Sequence, residues 1–461
     1  MNLYRLQQEH YHKALDLLTL SCKKDFSQTS FNQFKSLFYN SLTNIETQTP
    51  LHALLISLSN SNAFDHLEGG FFSHQSFTES PSDLTKSLLI NAHFIDLFTT
   101  ASGIYFDAAF SAPTIKSLQW IINTLQSIDG YFFLEMESEN NLSTYYFLSH
   151  QQIEEQLDND AYIIFMSTYN LCANDFYNEQ PIKLHKSFQQ VADHTGYHLK
   201  HVPLVLETAH QQLITLRKQQ VSPIINQAFN LKANAKIIYS LYSAAALFNR
   251  DDFAQAADKA LTYITLRINN TSKMNSIDFT DYQWLIRTLI KRLAFQWSDD
   301  LYQWLLSLSK RFVQHDDLID SLLSQRHSES IINDLNILYI LSSQKIFSFT
   351  ANSFYKNVIA RLDNLDNFDD SGSNLLLTLS ATNLDPKVII IRGQNFQVID
   401  WQQKIASGFK PFQFIFSIGN SSVGSDPKKF PIPSSIKAYK ASLDDSLEQI
   451  NSVEQLLSCC P

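Results

Sequence analysis

Glycine and proline are scarce, at 10 and 12 of 461 residues. An all-β chain needs turn residues every ~8–12 positions, so that scarcity argues against one. Cysteine is scarcer still: Cys22, Cys172, Cys459 and Cys460 make neither a disulfide framework nor a C-x-x-C pair. The adjacent Cys459 and Cys460 read as a frayed tail rather than a metal or thiol site. No run of ~18 apolar residues exists to span a membrane, and the first residues, MNLYRLQQEHYHKALDLL, lack the apolar core of a signal peptide. Bases are outnumbered, 35 Lys and Arg against 45 Asp and Glu, with no cluster to track a phosphate backbone, so nucleic acid is not an expected partner. There is no H-x-x-x-H, no Cys/His cluster with ligand spacing and no phosphate-cradling glycine loop, so neither a metal nor a cofactor is expected. The location these absences leave is the cytoplasm.

What is present is apolar bulk in helical register. The chain is 44% hydrophobic, with 34 Phe and 19 Tyr, enough for a large core. "YHKALDLLTLSC", "LHALLISLS", "DLTKSLLINAHFIDLFTTA", "NAKIIYSLYSAAALF", "DYQWLIRTLIKRLAF" and "SIINDLNILYILSS" repeat apolar residues at three- and four-residue intervals. Such segments recur as successive hairpins through most of the chain without a shared consensus, which suits an (α/α)6 toroid better than a solenoid. Two departures stand out. "GYFFLEM" and "STYYFLS" alternate with period two and predict a β-hairpin near 130–148. "KVIIIRG", "VIDWQQKIAS" and "FQFIFSIG" predict a strand–helix–strand unit near 387–418, followed by a terminal helix in "LDDSLEQINSVEQLLS".

Three segments in order carry a resemblance. "DHLEGGFF" is similar to a D-[HQ]-L-G-G-G-F-H-R-Y segment, and "DGYFFLEMESENN…STYYFLSHQQIEE" to a G-G-F-[YF]-S-A-x-D-A-D-S-E-G…Y-x-W-[TS]-x-x-E-[IL] segment. "RKQQVSPIINQAFNLKANAKII" is similar to R-x-x-R-P-x-x-D-D-K-x-[LI]-x-x-W-N-[AG]. These segments belong to the spermatogenesis-associated thioredoxin-like and bacterial YyaL-type proteins. That family joins a thioredoxin-like domain to a toroid of the six-hairpin glycosidase and N-acylglucosamine 2-epimerase type. "DFTDYQWLIRTLI", "DPKVIIIRG" and "AYKASLDDSLEQINSVEQLL" are weaker matches in the same order, and the resemblance spans roughly residues 45–458. It implies a mainly α chain: N-terminal helices over 1–45, an (α/α)6 toroid over 46–385 with a small β-hairpin insertion, and a C-terminal α/β unit over 386–461. The thioredoxin-like domain has no counterpart here. The expected role of the first helices is to cover the toroid face that such a domain would meet, or else to complete the toroid while a separate thioredoxin-like protein docks.

The departures from the family pattern bear on chemistry. Glu68 replaces a glycine, Phe72-Ser73-His74 replaces His-Arg-Tyr, and "SDLTKSLLINA" keeps only Lys86, Leu88, Asn91 and Ala92 of P-H-F-E-K-M-L-Y-D-N-A. Asn226-Gln227-Ala228 stands for Asp-Asp-Lys, and Ala233 for Trp, while Pro223 and Asn234 survive. Hydrolysis of a glycoside needs two carboxylates roughly 5–5.5 Å or 6.5–9.5 Å apart, according to mechanism, and epimerisation or isomerisation needs a general base in reach of the abstracted proton. Glu135 and Glu137 with His66 are the candidates for such work. Asp65, Gly69, Gly70, His74, Tyr145, Asn234, Asp281 and Tyr282 are the candidates for binding a carbohydrate-like ligand. Each also has a plain structural reading: the glycines as backbone requirements, His66 as a hydrogen-bonded ring, Glu135 and Glu137 as a solvated face, Asp281 as a helix-start acid. Polar site positions are lost while the apolar pattern is intact. The expectation is therefore a pseudoenzyme that retains a cavity for a ligand or protein partner; the rival is an active epimerase, isomerase or glycosidase using Glu135 or Glu137 with His66. A helical interaction scaffold without a cavity is a third possibility.

Overall fold

The computed structural model describes residues 31, 34, 35, 38, 48–73, 84–137, 143–169, 171, 182–270, 278–314, 331–363, 387–406, 413–422 and 430–459. These residues are mainly helical, with two small sheets. Four helices form a central layer: α2 (Leu88–Tyr105), α9 (Leu231–Phe248), α11 (Phe279–Phe295) and α13 (Ile331–Ser342). Contacts run from α2 to α9, from α9 to α11 and from α11 to α13. Each central helix also packs on the helix that follows it: α3 (Ala108–Thr124), α10 (Asp251–Asn270), α12 (Asp299–Val313) and α14 (Lys345–Asp363). α1 (Gln48–Asn60) joins this second layer against α3.

Composition explains the layering. α9 is buried without a break from Ala233 to Ala245, and α2 from Asn91 to Thr99, as expected of helices covered on all sides. α12 instead buries one stripe, Tyr302, Leu305, Leu306, Leu308, Ser309 and Phe312. Ser298 caps it, Asp299 and Asp300 occupy its first turn and Lys310 and Arg311 its last, an order that matches the helix dipole. Of the expected N-terminal helices, Phe31, Phe34, Lys35 and Phe38 are described. All four are helical, and the three phenylalanines are buried with Leu51, Leu55, Phe94 and Phe98 in one apolar cluster.

Between α3 and α9 the chain leaves the layers. It forms α4 (Ser143–Tyr146), whose Tyr145 and Tyr146 join the main helical core, and then α5 (His150–Gln156), α6 (Asn159–Tyr169), α7 (Phe188–Thr195) and α8 (His201–Arg217), which share a separate apolar cluster. The excursion is closed by a three-stranded antiparallel sheet of β1 (Lys86–Ser87), β2 (Glu135–Glu137) and β3 (Ile224–Asn226), in that order. This corrects the hairpin expected near 130–148. β2 pairs with segments distant in sequence, and Ser143–Tyr146 is a helical turn. Tyr145, Tyr146 and Leu148 are apolar because they are buried in near succession, not because they alternate across a strand.

The strand–helix–strand unit is formed as expected. β4 (Lys387–Gly393) and β5 (Gln413–Gly419) pair in parallel around α15 (Asn395–Ala406). β6 (Lys437–Ala441) and β7 (Leu447–Ile450) extend the sheet to the order β5-β4-β6-β7. Alternation along β4 divides its side chains: Val388 and Ile390 join the main helical core, while Ile389 and Ile391 face Val398, Trp401 and Ile405 of α15. The terminal helix is shorter than expected, α16 (Val453–Cys459). Its anticipated first half is β7, because Asp445, at φ 63°, turns the chain back on β6.

Candidate functional site

The stretch 63–73 is a closed turn pressed against α3. Asp65 N–H donates to the Gly70 carbonyl at 2.9 Å, Gly69 N–H to the Asp65 carbonyl at 2.8 Å and Phe72 N–H to the Ala63 carbonyl at 3.0 Å. Gly69 and Gly70 have φ of 90° and 82°. A Cβ on Gly69 would lie 2.6 Å from the Lys116 carbonyl oxygen, and one on Gly70 2.7 Å from the Trp120 ring. Both glycines are therefore backbone requirements rather than room for a ligand.

Beneath the turn lies a buried ion network. Asp65 Oδ2 accepts from Lys86 Nζ at 2.6 Å and from the Arg217 guanidinium at 2.8 Å; its Oδ1 accepts from Leu67 N–H at 3.1 Å. Arg217 also reaches Glu68 at 3.1 Å, and the Tyr145 hydroxyl donates to the same carboxylate oxygen at 3.1 Å. Lys86 donates to the Gly69 carbonyl at 2.8 Å and is boxed by the rings of Phe72, Trp120 and Tyr146. Burial alone would push the Asp65 carboxyl up, but Arg217 and Lys86 outweigh it and hold the group well below the usual carboxylate range. Burial likewise works against the Arg217 charge, and Asp65 and Glu68 more than restore it. Burial, and then Glu68, push the Tyr145 phenol up, so it remains a donor. Two acids face two bases, all engaged.

His66 does not stand ready as a base. Its ring is buried, with Nε2 3.0 Å from the Ser61 carbonyl oxygen, so that nitrogen carries a proton committed to a carbonyl. Burial lowers its pKa to about 4, against the Ser61 carbonyl, which raises it. Beside it, Lys116 Nζ donates to the His66 carbonyl at 2.6 Å and lies 3.4 Å from His210 Nδ1, while His210 Nε2 meets the Tyr169 hydroxyl at 2.7 Å. Burial brings Lys116 down to about 8 and His210 well below the usual imidazole range.

Glu135 and Glu137 sit on one side of β2, as alternation requires, and both accept from Asn226 Nδ2, at 3.3 and 2.9 Å. Asp281 lies in the first turn of α11, where burial, with Asp278, raises its pKa to about 6 against Lys232. Tyr282 packs near Phe312. His74 lies outside the described residues. Asn234 is fully buried and structural: its Oδ1 accepts from Phe132 N–H at 2.7 Å, and its Nδ2 donates to the carbonyls of Phe132 and Asn230 at 2.9 and 3.0 Å. Asn91 makes the same three bonds to Phe71 N–H, the Phe71 carbonyl and the Ser87 carbonyl, at 2.7, 2.9 and 2.9 Å.

A second charged cluster was not anticipated from the sequence. On the central layer, Asp96 of α2 takes an ion pair from Lys35 at 3.0 Å and is held below the usual range, against burial, by Lys35, Lys236 and Arg287. Lys236 of α9, fully buried, contacts the His93 ring and lies 4.3 Å from the Trp284 ring centre. Arg287 of α11 lies 5.1 Å from the Tyr239 ring and 5.3 Å from Trp284; Lys291, one turn on, is 5.7 Å from Tyr239. Burial pulls Lys291 down to about 8, and Arg287 lowers it further against Asp96. The available signal was a charge interrupting an apolar stripe, as in "NAKIIYSLY" and "WLIRTLIKRL".

Among the described residues no group of three His, Cys, Asp or Glu is placed to hold a metal, and no helix is long and apolar enough to cross a membrane. No protein-family model matches the chain, and no curated protein matches it.

Proposed function

We propose that this chain is a non-catalytic relative of the thioredoxin-fused six-hairpin proteins, built as an (α/α)6 toroid and acting by binding a carbohydrate-like ligand or a protein partner, in the cytoplasm. The two-layer alternation of helices supports the toroid. So does the repeated clamp of Asn91 and Asn234, in which the first turn of one central helix grips the loop after the preceding outer helix. The observation that carries the non-catalytic reading is the state of Asp65 and His66. Both are buried and bonded into the turn that the resemblance singles out. A general base must reach a substrate proton, and these groups hold the fold instead.

A screen of glycosides, N-acyl sugars and aldoses with purified protein tests this reading. No turnover is expected. Turnover lost in both Glu135→Gln and His66→Ala would establish the rival reading of an active sugar-processing enzyme.

A further inference from the structure

The turn after α3 and the outward face of α10 form a cleft of about 590 Å³, within the size range of small-molecule sites. Lys259, Thr262, Tyr263, Leu266 and Arg267, three and four residues apart on α10, line it together with Asp129 of the turn. The turn is fixed. Gly130 N–H donates to the Ser127 carbonyl at 3.0 Å, and Ser127 N–H to the Tyr131 carbonyl at 2.8 Å. Gln126 Nε2 ties the turn to α10 by donating to the carbonyls of Gly130 and Ala256, both at 3.0 Å. Gly130, at φ 108°, presses on the helix: a Cβ there would lie 2.8 Å from the Lys259 Cγ and from its carbonyl oxygen. Tyr263 is fixed as well. Its ring lies 4.6 Å from that of Tyr131 and 5.6 Å from that of Phe229. Its hydroxyl accepts from Arg267 at 3.0 Å, and the guanidinium lies 4.6 Å from the Phe229 ring. Beside this rigid wall stand two uncommitted charges. The side chains of Asp129 and Lys259 are exposed and share the cleft, yet neither has a hydrogen bond or an ion pair, with the other or with any other described residue.

We infer that this cleft is a carbohydrate site, in which a sugar ring lies along Tyr263 and Leu266 while its hydroxyls bridge Asp129 and Lys259. A hydroxyl both donates and accepts, so neighbouring sugar hydroxyls satisfy a carboxylate and an ammonium that do not meet each other. The C–H face of a sugar ring offers apolar area to an aromatic wall with a polar tip. An anion would be opposed by Asp129, and a cation by Lys259 and Arg267; a neutral polyhydroxy ligand meets neither repulsion. Lys259 and Arg267 are separated by about 12 Å along the axis of α10, a span that takes linked rings rather than a single one. The inference rests on the reading of this chain as a binding protein, and it moves the ligand from the turn at Asp65 to the outer helical layer.

The test uses the full chain. Maltose, cellobiose, lactose and chitobiose are each titrated, and binding is followed by saturation-transfer NMR and calorimetry. The expected result is saturable binding of at least one, at about 1 mM or tighter, little changed when sodium chloride is raised about tenfold. Asp129→Ala and Lys259→Ala should each weaken it about fivefold or more. Both should leave the thermal midpoint unchanged, because neither side chain has a partner in the fold. Tyr263→Phe, which keeps the ring, should retain most of the binding, and Tyr263→Ala should lose it. No saturable binding of any of the four sugars, undiminished binding in both the Asp129 and the Lys259 variants, or binding abolished by salt would overturn the inference. Those failures leave the non-catalytic reading and its protein partner standing. Turnover of a sugar that is lost in Glu135→Gln and His66→Ala would instead remove the non-catalytic reading without touching the cleft.

Discussion

Of the side chains that the sequence singles out for chemistry, Asp65 and His66 are buried in the fold, whereas Glu135 and Glu137 are half-buried on β2. Arg217 illustrates the energetics. Replacing it with Leu leaves the Asp65 and Glu68 carboxylates sharing Lys86, and breaking a buried ion network in this way costs about 3–5 kcal/mol. Urea unfolding should show that loss, and a variant within about 1 kcal/mol of wild type would refute the network's structural role. Asp281 offers a pH test with the opposite sign. Its folded pKa, about 6, lies above its ordinary 3.8, so the native state binds the proton more tightly. Its unfavourable contribution is absent below pH ~4, grows as pH rises through that window and is complete above about 6. Asp281→Asn should therefore raise the thermal midpoint relative to wild type at pH 8 and not at pH 4. An equal shift at both values would show that burial of this carboxyl is not the cause. His66 and His210 act the other way on the parent protein: both are lowered by burial, so stability falls with acidification below their ordinary 6.5. The comparison must accordingly be made as a difference between variant and wild type.

At the scale of elements, legibility depended on whether a segment's partner was near in sequence. Helices announced themselves through their own periodicity, and so did the β4–α15–β5 unit, whose strands are bounded by nearby Pro and Gly. β2 did not, because its partners, Lys86–Ser87 and Ile224–Asn226, lie some 50 and 90 residues away. A period-two pattern there was given the nearest available partner and became a hairpin that does not exist. Asn234 shows the same limit for a single residue. It matched the family pattern and was read as a ligand contact, yet it joins α9 to the loop at Phe132, as Asn91 joins α2 to Phe71. This repeat is legible only in three dimensions. It predicts parallel consequences: Asn91→Leu and Asn234→Leu each leave a buried N–H and C=O with lost partners, about 1–3 kcal/mol apiece. Comparable losses in the two variants, measured by urea unfolding, are expected, and a neutral effect at either position would break the equivalence. The glycines, in contrast, were legible as backbone requirements, although the bodies against which they press, the Lys116 carbonyl and the Trp120 ring, were not.

At the scale of the whole molecule, the remaining question is what the first residues do. Two roles were open: covering a face that a thioredoxin-like domain would occupy, or completing the ring. Phe31, Phe34 and Phe38 are buried with residues of both α1 and α2, and the Phe31 ring stacks on His93 at 4.9 Å and meets Phe94 edge-on at 4.7 Å. Lys35, one turn beyond Phe31, ion-pairs with Asp96 of α2. A helix that reaches the charged interior of the central layer, while burying its phenylalanines between α1 and α2, is placed as a member of that layer rather than as a lid upon it. The two roles predict different outcomes when residues 1–45 are removed. A lid would leave the rest folded with an exposed apolar patch, prone to associate but with its unfolding transition preserved. A ring member would leave α1 and α2 without a shared core partner, and each large buried side chain so removed costs several kcal/mol. The expected outcome is therefore loss of a cooperative transition in the truncated chain. In the full chain, Phe34→Asp should produce a marked drop in the thermal midpoint, since the ring is fully buried and its replacement is an unpaired charge. A truncated chain that associates on gel filtration yet unfolds cooperatively near the parent midpoint would return these residues to the role of a cover, and one that stays monomeric with that midpoint would deny them both roles.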